Sequence, residues 1–395
     1  MSEPPETQPK IPPTVWRLGW VSFFADVSSE MVYPLIPAFL NGVLRAPAQA
    51  LGIVEGVAEG IVSVMKGWSG IHTDRKGERL PTVKLGYTLS AIGKPLLAVA
   101  TVWPVVLLGR GVDRLGKGIR GTARDALLTD VIPPGIRGRA FGLHRALDTA
   151  GALVGVLIAA MLMLAMPGAY RTVFVLAAVP GFLAVALLFT VREREPPPAA
   201  NAANRQKVPW RTFPRAFWVM VGLSLLFGLA NSSDTFLLLR ASELGLSEAQ
   251  VVGTYALYNV MYMLVSYPAG ILSDRLGRWL MIGLGWALYA AVYGGFAFTG
   301  PGGLIPLFAL YGVYIGLTKG VSVALVADHA PKEWRGSAMG IYFMTSGGVT
   351  LAANAVTGVL WDRVGYQAAL LTCAGIAAVA VLGIPLALRT RRNPD

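Results

Sequence analysis

The sequence predicts an all-α membrane protein whose twelve transmembrane helices form two pseudo-symmetric six-helix bundles. Three observations predict it. Hydrophobic residues make up 54% of the 395 positions and charged residues only 14%, a balance foreign to ordinary soluble domains. Apolar runs of about 20 residues, long enough to cross the hydrocarbon core as helices, recur from near Thr14 to near Leu388. Two polar motifs of the first half also return in the second at a nearly constant offset.

The spanning rule places the first six helices at 15–40, 51–70, 82–103, 104–128, 141–165 and 171–191. The first follows the acidic, Pro-rich "MSEPPETQPKIPP" and is long enough to remain a membrane helix rather than a cleaved signal. The second offers Gly52, Gly56 and Gly60 as a close-packing face. The fourth is the charged stretch "GRGVDRLGKGIRGTARDALLTD", Gly109 to Asp130. After the sixth comes "REREPPPAANAANRQKVPWRTFPR", polar and rich in Pro and Ala, which reads as a linker. It divides the chain into an N-terminal bundle (1–191), a linker (192–214) and a C-terminal bundle (215–395). The later spans fall at 216–240, 250–270, 280–299, 303–327, 338–360 and 366–388.

The formal charge of +12 belongs to topology rather than to a nucleic-acid partner. With the N-terminus inside, the cytoplasmic loops receive most of the loop Arg and Lys, including Arg75, Lys76, Arg79, Arg137, Arg139 and the linker residues, while the other side receives little beyond Arg45, Arg171, Arg240 and Arg363. If the fourth segment did not cross, every later loop would invert. It therefore spans, and both termini are expected in the cytoplasm.

Four cations on one helix cannot face lipid. Residues 110, 113, 114, 117, 120, 121 and 124 follow steps of three and four, so they form one stripe, with Val112, Leu115, Ile119, Ala123 and Ala126 on the other face. Asp26 and Glu30 of the first span, Glu55 and Glu59 of the second and Asp148 of the fifth can balance it. Depth alone matches Glu59 with Lys94, and Asp148 with Arg124 or Arg120. The second half is poorer in charge, with Asn231 and Asp234 in the seventh span and Lys319 in the tenth, beside Tyr258, Tyr262, Tyr311, Tyr314 and Met344.

The internal repeat pairs "GIHTDRKG" (70–77) with "GILSDRLG" (270–277), and "DVIPPGIRGRAFG" (130–142) with "DHAPKEWRGSAMG" (328–340). A related "GVLWDRVG" ends the eleventh span. The GxxxDRxG pattern after the second and eighth spans resembles the signature loop of the major facilitator superfamily, with His72 and Glu78 as departures in the first copy. "RLGKGIRG" (114–121) resembles the fourth-helix motif of its proton-coupled members, with Lys117 where Gln is usual. "FFADVSSEMVYPLIP" and "ANSSDTFLLLR" are similar to a bacterial and archaeal branch of mostly unassigned substrate.

The resemblance implies two halves rocking about a central cavity lined by spans one, four, seven and ten. It implies a cytoplasmic gate built from Gly70, Asp74, Arg75, Gly77, Asp130, Arg137, Gly270, Asp274, Arg275, Gly277, Asp328 and Arg335. Asp26, Glu30 and Arg114 are the expected proton-coupling residues, Arg114 holding the carboxylate ionised. Arg110, Asp113, Lys117, Asn231, Asp234 and Lys319 are the expected substrate contacts. The expected function is a secondary active transporter, a proton-coupled antiporter exporting a small amphiphilic or anionic organic molecule. The alternatives are uptake of an organic anion and, in another class, a non-transporting receptor. An enzyme is not expected. His72, His144 and His329 lack metal-ligand spacing, no P-loop or nucleophile motif occurs, and Cys373 stands alone. No catalytic residue, metal or cofactor is expected, and the partners are cargo, protons and the bilayer, with the chain a monomer.

Overall fold

The structure, a computed structural model, describes residues 11–76, 78–132, 137–191, 213–329 and 335–392. The first bundle contains α1 (Pro13–Glu30), α2 (Ala48–Lys76), α3 (Leu80–Ala98), α4 (Trp103–Val131), α5 (Arg137–Ala165) and α6 (Tyr170–Leu188). The second contains a divided α7, α7a (Arg215–Ala230) and α7b (Thr235–Glu243), then α8 (Glu248–Leu276), α9 (Arg278–Phe298), α10 (Leu304–His329), α11 (Arg335–Arg363) and α12 (Tyr366–Arg392). Among the described residues, eight segments are long and apolar enough to cross a membrane by length and composition alone. The other four helices, α1, α3, α4 and α8, hold many of the polar residues of the site.

Every helix starts within four residues of the position that hydropathy predicts. The ends of α2 and α8 differ more. The GxxxDRxG motifs, expected as loops, form the last helical turns of α2 and α8, because nothing in "HTDRK" or "LSDRL" breaks a helix. In the second copy the break comes at Gly277, whose φ of 96° is a conformation glycine adopts without strain. Two spans are also less regular than expected. Beyond Glu30, α1 continues as a 3₁₀ turn (Tyr33–Leu35), a short α-turn (Ile36–Ala38) and a π-turn (Phe39–Val43), where Pro34 and Pro37 each remove a backbone donor. The seventh span opens at Asn231–Ser233, and the freed Ser233 N–H donates to Asn354 Oδ1 of α11 at 2.7 Å.

Glycines set the closest helix contacts. A Cβ on Gly116 of α4 would stand 2.3 Å from the Gly86 carbonyl oxygen of α3, so these backbones touch. The expected packing face of α2 does meet α11: a Cβ on Gly52 would lie 2.3 Å from the Asn354 carbonyl oxygen. One turn on, a Cβ on Gly56 would press on Leu351 at 2.9 Å.

The bundles meet along α2–α11 and α5–α8. Their ties are concentrated away from the arginine-rich loops, at what is here called the far end. There the Asp362 carboxylate of α11 accepts from the first N–H groups of α2, Ala48 N at 2.8 Å and Gln49 N at 2.6 Å, a helix-start cap supplied across the interface. Glu248 at the start of α8 accepts from Gly168 N at 2.9 Å and from the Tyr170 hydroxyl. Towards the basic end α2 and α11 stay close: a Cβ on Gly347 would stand 2.4 Å from Ser63 Cβ, and Lys66 lies 5.6 Å from the Phe343 ring centroid. The hydrogen bonds that join the two bundles among the described residues lie towards the far end.

Candidate transport site

The charged stripe of α4 divides in two. Arg110 and Asp113 turn into the first bundle. Arg110 grips Glu55 of α2 with Nη2 at 2.6 and 2.9 Å from the two carboxylate oxygens and Nε at 3.1 Å, a bidentate fork with both side chains buried. Asp113 takes Lys94 Nζ at 2.6 Å and the Ser90 hydroxyl at 2.5 Å, both from α3, whose backbone lies against α4. These two expected substrate contacts are therefore enclosed in a hydrogen-bonded ion cluster. Lys94 pairs with Asp113, not with Glu59 as depth suggested. The reason is azimuth: Lys94 points at α4, and its amine is completed by Ser90 O at 2.9 Å and Ser29 Oγ at 3.3 Å.

Arg114 and Lys117 stay outside these hydrogen bonds, although Arg110 and Arg114 flank the same Tyr33 ring at 5.2 and 5.6 Å. Arg114 is buried, sits 5.6 Å from the Tyr33 ring centroid, and its Nε has no hydrogen-bond partner among the described residues. The fields of Glu59, Asp113 and Glu55 act on it. Lys117 makes no hydrogen bond or ion pair with any described residue; the Arg114 charge acts on it most strongly, opposed by the fields of Asp26, Glu30 and Glu59. The structure brings these cations towards the space between the bundles without committing them to a partner.

Asp26 and Glu30 share α1 but not an environment. Asp26 lies 3.9 Å from Arg120 and also meets Asp148 of α5. Arg120 in turn rests 4.2 Å from the Tyr87 ring centroid. The expected Asp148–Arg124 contact is present at 3.6 Å, and Arg124 also donates to Ser22 Oγ at 2.8 Å. The guanidinium beside Asp26 is thus Arg120 and not Arg114, because Arg114 sits on the Tyr33 side of α4. Glu30 has no guanidinium contact. Its carboxylate accepts from the Tyr255 hydroxyl of α8, in the other bundle, at 2.5 Å.

The second bundle presents an aromatic wall. Asp234, at the break in the seventh span, accepts from the Tyr258 hydroxyl and, at 3.1 Å, from the Tyr33 hydroxyl of the first bundle. Asn231 Oδ1 accepts from Tyr314 at 3.0 Å. Tyr311, Tyr314, Tyr289, Tyr293, Phe227 and Trp286 pack against one another behind them. Lys319 is exposed in the middle of α10, 5.3 Å from the Tyr262 ring centroid. An apolar groove of about 710 Å³ between α2, α4 and α11 is lined by none of these ionisable residues.

At the basic end, Gly77 and the side chains of Asp74, Arg75, Arg137, Asp274 and Arg335 lie outside the described residues, and Gly70 lies in α2. Asp130 pairs with Arg79 at 2.9 Å, and its repeat mate Asp328 pairs with Arg278. Each pair ties the last turn of one helix to the start of the preceding one in its own bundle. Arg275, Gly270 and Gly277 are in the last turns and cap of α8, with Arg275 exposed.

The sequence model of the Major Facilitator Superfamily matches residues 18–353 and 241–395. The chain belongs to the major facilitator superfamily. It is 33% identical over 363 residues, 90% of each chain, to an uncharacterized MFS-type transporter of Methanocaldococcus jannaschii. It is 30% identical over 323 residues, 78% of this chain and 77% of the other, to the multidrug resistance protein MdtH of Cronobacter sakazakii. The crystal structure of the nucleoside transporter NupG shares the fold, with a TM-score of 0.76 at 14% identity over 95% of this chain and 99% of that one. This superfamily member is a multi-pass membrane transporter. Reading its sequence missed Tyr33 and Tyr255 as cross-bundle donors, Ser90 as a ligand of Asp113, and Asn354 as the support of the α7 break. One signal was available: "SSE" (28–30) and "SSD" (232–234) are a further copy of the repeat and flag both interface acids.

Proposed function

We propose that this transporter is a proton-coupled antiporter that exports a small amphiphilic or anionic organic molecule by alternating access. The observation that carries the reading is the state of Glu30, a carboxylate at the bundle interface that accepts a hydrogen bond from the opposite bundle. Such a group changes its surroundings whenever the bundles rock, and a change of surroundings changes its proton affinity. Asp26, one turn away beside Arg120 and Asp148, is the second proton-carrying candidate. Arg114 and Lys117, with Lys319 and Asn231 opposite, are the proposed cargo contacts, whereas Arg110 and Asp113 hold the bundle together. The bundles 1–191 and 215–395 rock as units about the linker 192–214. The arginine-rich end faces the cytoplasm of a cell whose plasma (inner) membrane holds the monomer, with both termini inside. The gate side chains at that end separate and rejoin in the cycle. The multidrug resistance name of one relative supports export, and no catalytic step or cofactor is part of the reading.

The test uses proteoliposomes and a cargo found by ligand-induced thermal stabilisation. Glu30→Gln and Asp26→Asn are expected to abolish pH-gradient-driven flux while exchange or binding stays measurable. Unchanged gradient-driven flux in both variants rejects the proton assignment. Uptake of an organic anion is the second reading, favoured by the uncommitted Arg114 and Lys117. Deleting the gene separates the two, since export predicts cargo accumulating inside the cell and uptake predicts its depletion there.

A further inference from the structure

Glu30 and Asp234 occupy matching places. Each follows a Ser-Ser pair in the first helix of its bundle, and each marks a helix discontinuity: Glu30 is the last residue of α1 and Asp234 precedes α7b. Each carboxylate accepts a phenol from the other bundle, Glu30 from Tyr255 at 2.5 Å and Asp234 from Tyr33 at 3.1 Å. The donors are not repeat mates, since Tyr33 is on the first span and Tyr255 on the eighth. They nonetheless meet, ring centroids 5.5 Å apart, and Tyr258 stands edge-on to Tyr255 at 5.0 Å. The Asp362 and Glu248 ties lie at helix starts and an inter-helix loop. The tyrosines instead occupy the seam where α1, α7 and α8 converge.

We infer that the far end is closed at its centre by a reciprocal pair of tyrosine-to-carboxylate locks, one acid and one phenol contributed by each bundle, and that both must break for the cavity to open outward. The chemistry suits a gate. A hydrogen bond to a charged acceptor is strong enough to hold a state, and parting it separates a neutral phenol from a carboxylate rather than pulling two opposite charges apart. Its donor and acceptor travel with different bundles, so the bond cannot survive rocking. Tyr258 supplies the internal comparison: it donates to the same Asp234 but from the same bundle, and rocking leaves that bond intact.

The inference rests on the alternating-access part of the proposed function and not on proton coupling. Its test is a distance measurement on the full chain in nanodiscs, with no cargo or gradient, using spin labels at Val102 and Phe298. Both are exposed at the far end, on opposite bundles, in a Cys373→Ala background. Tyr33→Phe and Tyr255→Phe are each expected to raise the ratio of outward-open to outward-closed molecules by roughly tenfold, the size set by losing a hydrogen bond to a charged acceptor. The double variant should exceed either, and Tyr258→Phe should leave the ratio unchanged. Distances in Tyr33→Phe and Tyr255→Phe that match wild type, or a Tyr258→Phe shift as large as theirs, overturn the locks. Opened distances together with unaltered pH-driven flux in Glu30→Gln and Asp26→Asn uphold the locks and reject only the proton assignment.

Discussion

Arg110 and Arg114 are one turn apart on the same helix and have opposite fates. Arg110 is saturated by Glu55 and lies 3.8 Å from Asp113, while the Arg114 Nε finds nothing. A buried pair that loses one partner leaves an uncompensated charge, at a cost of about 3–5 kcal/mol. Arg110→Ala and Asp113→Ala should therefore lower the thermal unfolding midpoint sharply in detergent, with little protein recovered folded. Arg114→Gln should lower the midpoint less than Arg110→Ala, because it breaks no hydrogen-bonded ion pair, although Glu59, Asp113 and Glu55 lose a nearby cation. Equal losses in Arg110→Ala and Arg114→Gln would show that the two cations share one structural role. Sequence spacing placed all these residues on one stripe and found the acids that balance it. It could not assign partners, because depth along the membrane normal is one coordinate and pairing needs the angle around the helix as well. Lys94 shows this directly: it shares a depth with Glu59 but points at Asp113.

The helices were legible because lipid demands long apolar segments, and their starts follow from that demand alone. Their irregularities were not. The α1 and α7 breaks depend on Pro34, Pro37 and the Asn354 side-chain amide, which an average over about twenty residues hides. The glycine faces were legible as spacing, and contact now ranks them. At Gly116 an added methyl meets the Gly86 carbonyl oxygen and the Ser90 amide, which are backbone and cannot step aside. At Gly111 it would meet only Ile61 Cδ1 at 3.7 Å, an ordinary contact. Gly116→Ala is expected to destabilise by about 1–3 kcal/mol, the usual cost of overpacking. Because α3 would move off α4, it should also disturb the Lys94–Asp113 pair. Gly111→Ala should be neutral or slightly stabilising. Chemical denaturation in mixed micelles, followed by intrinsic fluorescence, measures both.

Across the whole molecule the repeat keeps the backbone and the Asp130–Arg79 and Asp328–Arg278 pairs but exchanges chemistry. Extending the loop matches along the helices puts Tyr255 at the place of Glu55 and Tyr311 at the place of Asp113, so phenols in one bundle stand where ions stand in the other. If cargo meets Arg114 and Lys117 on one side and the Tyr262 ring beside Lys319 on the other, as proposed, it carries a negative charge and a ring. Aromatic carboxylates or sulfonates should raise the unfolding midpoint of the purified transporter. At about 100 times Kd the expected stabilisation is ~2.7 kcal/mol. The same rings without the anionic group, and the same anions without rings, should each give much less. Arg114→Gln is expected to remove the shift for the charged compounds, and Tyr262→Leu to weaken it for the ringed ones by stripping the face beside Lys319. Stabilisation of equal size by all three compound classes, unaffected by either variant, would mean that the asymmetry serves packing within the bundles and does not select cargo.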